Sequence, residues 1–325
     1  MMSAPYLLLA VVVTMSAFFV TLTMASAVLA GLADRLTRAV AGYSPFAQSR
    51  ALFAALAFPS VLAVGVASVG VLLPFLIFEP TDTAESVPFS LSVLAFAGAA
   101  MLSTLAWRLV RSWRATAALK RAWMSRARRV GDDAGLEVFA IDEAFPVVAV
   151  VGIRWPALFV SERVLESCSR DEVTAMIAHE RAHVRTRDNL RRLVLDACAD
   201  FVPASRRVLL TQAWRDAIEN AADSAAVERG ETNATDLASA LVSIGRLAQN
   251  CGHAPLVSSA FYSGSALESR VRRLVQPGGA TELVTRSSLA KSIVGVSAFV
   301  ILAMLASPLV HEGIEALIEH LPLPP

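Results

Sequence analysis

The stretch from Ser169 to Thr186, SRDEVTAMIAHERAHVRT, decides how the rest of the chain is read. Ser169 followed three residues later by Glu172 is a capping box, which opens a helix. That helix runs through Val173, Met176 and Ile177 to about Thr186. Inside it, His179-Glu180-Arg181-Ala182-His183 places two histidines four residues apart. Residues at that spacing share one helix face, with Cβ atoms about 5–6 Å apart. Both imidazoles can therefore aim a ring nitrogen at one Zn²⁺, at about 2.0–2.1 Å. Glu180 lies beside the first ligand, where its carboxylate can take a proton from a water on that ion. The competing reading is a solvated helix face carrying two incidental histidines.

A catalytic zinc site needs a third protein ligand and an open position for water. His253 sits in a loop flanked by Gly and Pro, and His311 and His320 fall beyond the last apolar run, so none of the three suits. Glu219 is the better candidate, with Asp223 one turn further along the same expected helix. Glu219 could bind the metal, and Asp223 could accept the free N–H of a ligand histidine and fix its tautomer. On spacing alone, an ordinary solvated acidic face fits equally well.

Composition places this chemistry at a membrane. The 325 residues are 55% hydrophobic and 18% charged, with a mean hydropathy of +0.55. That is too apolar for an ordinary soluble protein. Four runs approach the roughly 20 residues needed to cross a hydrocarbon core: about 5–31, 51–78, 88–107 and 292–310. Pro59 and Pro74 are expected kinks in the second. The first run lacks a basic leader and is too long for a signal peptide.

Charge sets the direction, because basic residues accumulate on the cytoplasmic side. The loop after the first run holds Arg35, Arg38 and Arg50, whereas Glu79 to Ser86 holds three acids and no base. Arg108, Arg111, Arg114, Lys120, Arg121, Arg126, Arg128 and Arg129 follow the third run. The tail after the fourth has Glu312, Glu315 and Glu319 but no Lys or Arg. Both termini are thus expected outside a plasma membrane, with 108–291 cytoplasmic and 311–325 a short outer tail. The basic block is read as attraction to anionic headgroups, with no direct nucleic-acid partner. Cys168, Cys198 and Cys251 show no ligand spacing and read as reduced thiols.

Within the cytoplasmic segment, a basic amphipathic helix is expected over 115–129, broken by Gly131-Asp132-Asp133. Residues 136–141, 147–153 and 157–161 are rich in Val, Ile and Phe and read as two or three strands of a small sheet. The stretch 147–153 could offer a substrate an edge, although an interior strand fits it too. Helices are expected over 189–201, 205–229, 234–249 and 266–275. Strands followed by helices favour an α+β domain.

The motifs 179–183, Arg185 to Asp188, Glu219-x-x-x-Asp223 and Leu267-Glu268-Ser269-Arg270-Val271-Arg272-Arg273-Leu274 together resemble the BlaR/MecR family of membrane metallopeptidases. The resemblance covers about Val138 to Leu274. HtpX-type and CAAX-prenyl-type proteases share the two metal motifs. What it implies is a four-span α-helical membrane protein, with a cytoplasmic α+β zincin domain of gluzincin type inserted between the third and fourth spans. It also implies one Zn²⁺ per chain, with Glu219 as third ligand and Asp223 behind a histidine. The expected activity is endopeptidase cleavage of a cytoplasmic protein, with a winged-helix repressor as the implied substrate. Tyr262 and Arg270 are candidate oxyanion stabilisers, Arg270 being equally suited to a structural ion pair. The antibiotic-sensing members carry an outer penicillin-binding domain that has no counterpart after Val310. The alternatives are an HtpX-like quality-control protease and a non-catalytic membrane transducer.

Overall fold

The computed structural model describes residues 4–80, 87–133, 135–249 and 264–276. The expected fourth span over 292–310, the outer tail, Cys251, Tyr262, His253, His311 and His320 lie outside them.

Three helical rods dominate: α1 (Ala4–Val40), a second rod from Pro45 to Phe78, and α4 (Phe89–Met124). Each is long and apolar enough to cross a membrane. Their outer faces expose large apolar side chains such as Leu8, Met24, Val61, Ile77 and Phe96, an arrangement suited to a lipid surround rather than water. The second rod comprises α2 (Pro45–Gly65), a wider π turn (Val66–Leu72) and α3 (Leu73–Phe78). The helix passes through Pro59 without interruption. At the other expected site, Pro74, the irregularity lies in the preceding turn, where the Leu73 N–H reaches back five residues to the Ser68 carbonyl. Proline lacks the N–H that would bond four residues back, and its ring crowds that carbonyl. Widening the preceding turn accommodates both.

The α1–α4 contact depends on Gly98. A Cβ placed there would collide with the Met15 carbonyl oxygen, and Ser16 Oγ donates to the Leu91 carbonyl across the same interface at 3.0 Å.

Beyond the rods lies a mixed four-stranded sheet in the order β1-β2-β4-β3. It contains β1 (Arg128–Asp133), β2 (Leu136–Ile141), β3 (Val148–Val151) and β4 (Ala157–Ser161). The sheet has one strand more than expected. Residues 128–133 form β1, whereas the expectation was a helix to 129 and a break at 131–133. Their charged side chains hide the strand, because β1 is an exposed edge and needs no apolar face. It pairs antiparallel with β2 through a register shift between Arg129 and Gly131. β2 and β4 run parallel, and β3 returns antiparallel on β4 as the other edge.

The two central strands are buried on both faces, which explains their nearly continuous apolar sequence. On one face Leu136, Val138, Leu158 and Val160 pack against Val164 of α5 (Glu162–Ser167), Met176 of α6 (Arg170–Thr186) and Leu237 of α9 (Ala234–Gln249). On the other, Phe139, Ile141 and Phe159 meet Leu119, Trp123 and Met124 at the end of α4. The short α5 was not anticipated.

α7 (Asp188–Cys198) and α8 (Ala204–Glu228) each pack against the rods. Leu195, Leu210, Trp214 and Ile218 share a buried cluster with Leu29, Ala33, Leu52 and Leu56. α10 (Gly264–Val275) packs on α9. The described chain is therefore mostly helical with one small mixed sheet.

Two glycine substitutions test the rod packing. Gly98→Ala should lower the thermal midpoint of the detergent-solubilised protein, by the equivalent of about 1–3 kcal/mol for overpacking against backbone. Gly31→Ala meets nothing within 4 Å and should be neutral or stabilising, since alanine is the better helix former. Equal midpoints for the two variants would remove Gly98 as a packing determinant.

Candidate metal centre and active site

The local structure of α6 positions the first three site residues. Ser169 Oγ accepts from the Glu172 N–H, and Glu172 Oε2 accepts from the Ser169 N–H at 2.8 Å. Glu172 Oε1 also accepts from Ser239 Oγ at 2.6 Å and Ser243 Oγ at 2.7 Å, tying the start of α6 to α9. Burial disfavours the charge on Glu172, but these hydroxyl and backbone donors outweigh it and lower its pKa. Three turns later His179, Glu180 and His183 are all buried. The helix ends at Arg187, held in the left-handed region at φ 55°. That sharp exit starts α7 at Asp188 and turns its carboxylate back onto α6.

The ligand atoms converge. His179 Nε2 and His183 Nε2 lie 3.1 Å apart. Glu219, on α8, brings Oε2 to 3.4 Å from His179 Nε2 and Oε1 to 3.7 Å from His183 Nε2. The three residues form a group able to hold a metal ion. Ligand atoms on a tetrahedral zinc at about 2.0–2.1 Å stand about 3.3–3.4 Å apart, close to the observed separations. The opposite ring nitrogens are both engaged by carboxylates: His179 Nδ1 lies 2.9 Å from Asp223 Oδ1, and His183 Nδ1 lies 2.8 Å from Asp188 Oδ2. With each Nδ1 donating a proton to its carboxylate, each Nε2 presents a lone pair. Two lone pairs cannot hydrogen-bond each other, whereas a shared cation satisfies both.

Arg270, on α10, is buried behind this group. Its Nε and Nη2 donate to Asp223 at 2.8 and 2.7 Å, and Nη1 lies 3.1 Å from Glu219 Oε2. Of the two roles considered for Arg270, the geometry places it in the ion pairs. Tyr262 lies outside the described residues.

Burial disfavours charge on His179, but hydrogen bonds to Asp223 and Glu219 outweigh it and push the imidazole up to about 9. Burial likewise disfavours the Glu219 carboxylate, yet the His179 hydrogen bond and the neighbouring positive charges hold it at about 2. Asp223 is held well below the usual carboxylate range, with the Arg270 charge the largest influence opposing burial. The cluster thus recruits positive charge, and a bound cation would take over from the imidazole proton. The residues present fit a divalent metal.

Glu180 Oε2 accepts from the Val150 N–H at 3.0 Å, so β3 orients it. Asn189 Nδ2 donates to the carbonyls of Val150 and Gly152, at 3.0 and 3.1 Å. Sequence reasoning gave no role to Asp188, although it lies in one of the quoted motifs, nor to Asn189, and did not anticipate the Val150 contact. Asp188-Asn189 directly after an HExxH helix was a usable signal for the first two. The Val150 contact spans 30 residues and left none.

The profile of Peptidase family M48 matches residues 116–204. That stretch takes in the end of α4, the sheet, His179, Glu180 and His183, and stops before Glu219, Asp223 and Arg270. The match supports a metallopeptidase, without separating the BlaR/MecR type from its relatives. No curated protein matches the chain.

Because the folded pKa of Glu172 lies below its ordinary 4.5, its charge stabilises the fold above that pH, and the contribution fades as pH falls through the lowered folded value. Glu172→Gln should therefore melt below wild type at pH 7, and the gap should narrow as pH falls below 4.5. A gap independent of pH would show that the carboxylate charge is not what ties α6 to α9.

Proposed function

We propose that the protein is a membrane-embedded zinc endopeptidase acting on a protein substrate. The observation that carries this reading is the convergence of His179 Nε2, His183 Nε2 and a Glu219 oxygen beside the buried carboxylate of Glu180. In this reading His179, His183 and Glu219 hold one Zn²⁺ per chain, and Asp223 and Asp188 keep the two imidazoles in the tautomer that leaves Nε2 free. Arg270 holds Asp223 and Glu219 in place.

A bound zinc ion supplies Lewis acidity to the scissile carbonyl and to water. Glu180 takes a proton from the water as its oxygen adds to the carbonyl carbon. It returns that proton to the leaving nitrogen as the C–N bond breaks, so the products are a carboxylic acid, which then ionises, and an amine. Val150 fixes one carboxylate oxygen for this work through its N–H.

The finer assignment is to BlaR-like signalling by cleavage of a cytoplasmic transcriptional repressor, a winged-helix protein. In this reading the chain has four spans with both termini outside a plasma membrane, and the domain of residues 108–291 lies in the cytosol, where such a substrate would be met. The supports for this are the basic residues that follow the first and third apolar runs, the acidic outer segments, and the three described rods. Quality control of membrane proteins would instead give broad degradation, and incubation of membranes with a co-encoded repressor separates one defined cut from many.

Metal analysis and turnover test the core of the proposal. Glu180→Gln should keep about one zinc per chain while hydrolysis falls by about 10²–10⁴-fold. Asp223→Ala should weaken zinc binding by about 10–100-fold, and Glu219→Ala should weaken it further. Undiminished loading in Glu219→Ala, or undiminished turnover in Glu180→Gln, would overturn the assignment.

A further inference from the structure

β3 is a four-residue strand with a sheet partner on one side only. Its ladder bonds go to β4, so its outer side is held by side chains from other elements. Two such side chains meet it. Glu180 Oε2 accepts from the Val150 N–H at 3.0 Å. Asn189 Nδ2 donates to the Val150 and Gly152 carbonyls at 3.0 and 3.1 Å. Neither of these Asn189 bonds goes to a metal ligand or to Glu180 itself.

Both acceptors are carbonyl oxygens, which only a donor can satisfy, so the amide faces β3 with its NH₂ group. That group carries two hydrogens, one for each carbonyl. An aspartate of the same shape would bring oxygen against oxygen. The clamp ends at Gly152, where φ is 117° and the chain bends away toward β4. Val150 thus has its C=O held by Asn189 and its N–H set against Glu180.

We infer that Asn189 is a positioning residue for Glu180 and acts through β3, by holding the Val150 peptide groups where the N–H meets one carboxylate oxygen. The inference rests on the proposed peptidase reading. With Oε2 occupied by Val150, Oε1 is the oxygen left to take the water proton. A strand end free to shift would carry the N–H away and let the carboxylate rotate. Misplacing a reacting group by about 1 Å can cost about 10²-fold in rate.

The place of Asn189 in the chain joins this task to the metal centre. It follows Asp188, whose Oδ2 lies 2.8 Å from His183 Nδ1. Arg187, left-handed at φ 55°, turns the chain out of α6 so that both residues reach back. Successive positions at the start of α7 therefore set a ligand imidazole and, through β3, the base.

Kinetics of the full-length, zinc-loaded protein in detergent test this, with a fluorogenic peptide chosen from a mixed library for cleavage by wild type. Asn189→Ala should keep about one zinc per chain and a KM within about twofold, while kcat falls about tenfold or more. Asn189→Asp keeps the shape without the donors and should fall as far. In a Glu180→Gln background, Asn189→Ala should cost nothing further, because the group it positions is no longer a base. Backbone hydrogen exchange across residues 147–153, which needs no substrate, should speed up in Asn189→Ala. An equal loss of rate in both backgrounds would mark a merely structural role and overturn the assignment. Wild-type kcat in Asn189→Asp, unchanged exchange across 147–153, or loss of zinc from Asn189→Ala would overturn it too, and each leaves the peptidase reading intact. Absence of any cleavage by zinc-loaded wild type overturns the peptidase reading and the inference with it.

Discussion

Two imidazole nitrogens 3.1 Å apart, each backed by a buried carboxylate, form the constraint around which this protein is arranged. Glu180, Asp188 and Asp223 are buried and Glu219 is nearly so, with Arg270 the fully buried cation among them. Buried charge of one sign is costly unless compensated. Arg270 offsets part of the excess and a divalent ion would offset most of the remainder. The ligand geometry and the charge balance are independent features, and both call for a cation at one place. α6, α7, α8 and α10 all direct polar groups to that spot, which explains why a region of so much apolar sequence tolerates so many ionisable side chains.

Two of those helices, α7 and α8, hold their positions by packing on the rods. α8 has two working faces: Trp214, Ala217 and Ile218 join the cluster with Leu29, Ala33, Leu52 and Leu56, while Glu219 and Asp223 face α6. A rotation of α8 that pulled Trp214 from the rods would also withdraw Glu219 from the histidines. The 3₁₀ turn after α7 reaches deeper, with Phe201 packed beside Phe18, Leu22, Ala63 and Ala67. Site and apolar bundle thus form one packed body, and a tethered-domain picture with a slack linker does not describe it.

How legible this was in the sequence depends on how local each feature is. Ser169, Glu172 and the two histidines are linked by i to i+3 and i to i+4 spacing, so the helix, its start and the paired nitrogens could all be read directly. Glu219 and Asp223 also share a helix face, but nothing in their spacing says which helix they meet, and only the resemblance to known peptidases joined them to His179. β1 was hidden because an exposed edge strand needs no apolar face, and its Arg and Asp residues read as a helix end and a break. Kinks were expected at both Pro59 and Pro74; the helix runs through Pro59, and the irregularity lies at the wider turn ahead of Pro74. Contacts such as Val150 with Glu180 depend on sheet order, which no local pattern encodes.

Sheet order also explains why the Glu180 carboxylate is met by a backbone N–H at all. In the order β1-β2-β4-β3, β3 has a partner on one side only. The carbonyl of Val147 bonds toward β4, at Ser161, and groups on alternate residues of an antiparallel strand point the opposite way. Val148 and Val150 therefore turn their N–H and C=O toward α6. Glu180 and Asn189 occupy those of Val150, which stops the edge from continuing past the site and fixes the carboxylate by its backbone bond. Had β3 and β4 exchanged places, the same sequence would have buried Val150 in the sheet and left Glu180 with no fixed orientation. The hairpin turn at Gly152, with φ 117° and no room for a Cβ beside the Trp155 carbonyl, is the local feature that returns the chain from β3 onto β4 as an antiparallel pair.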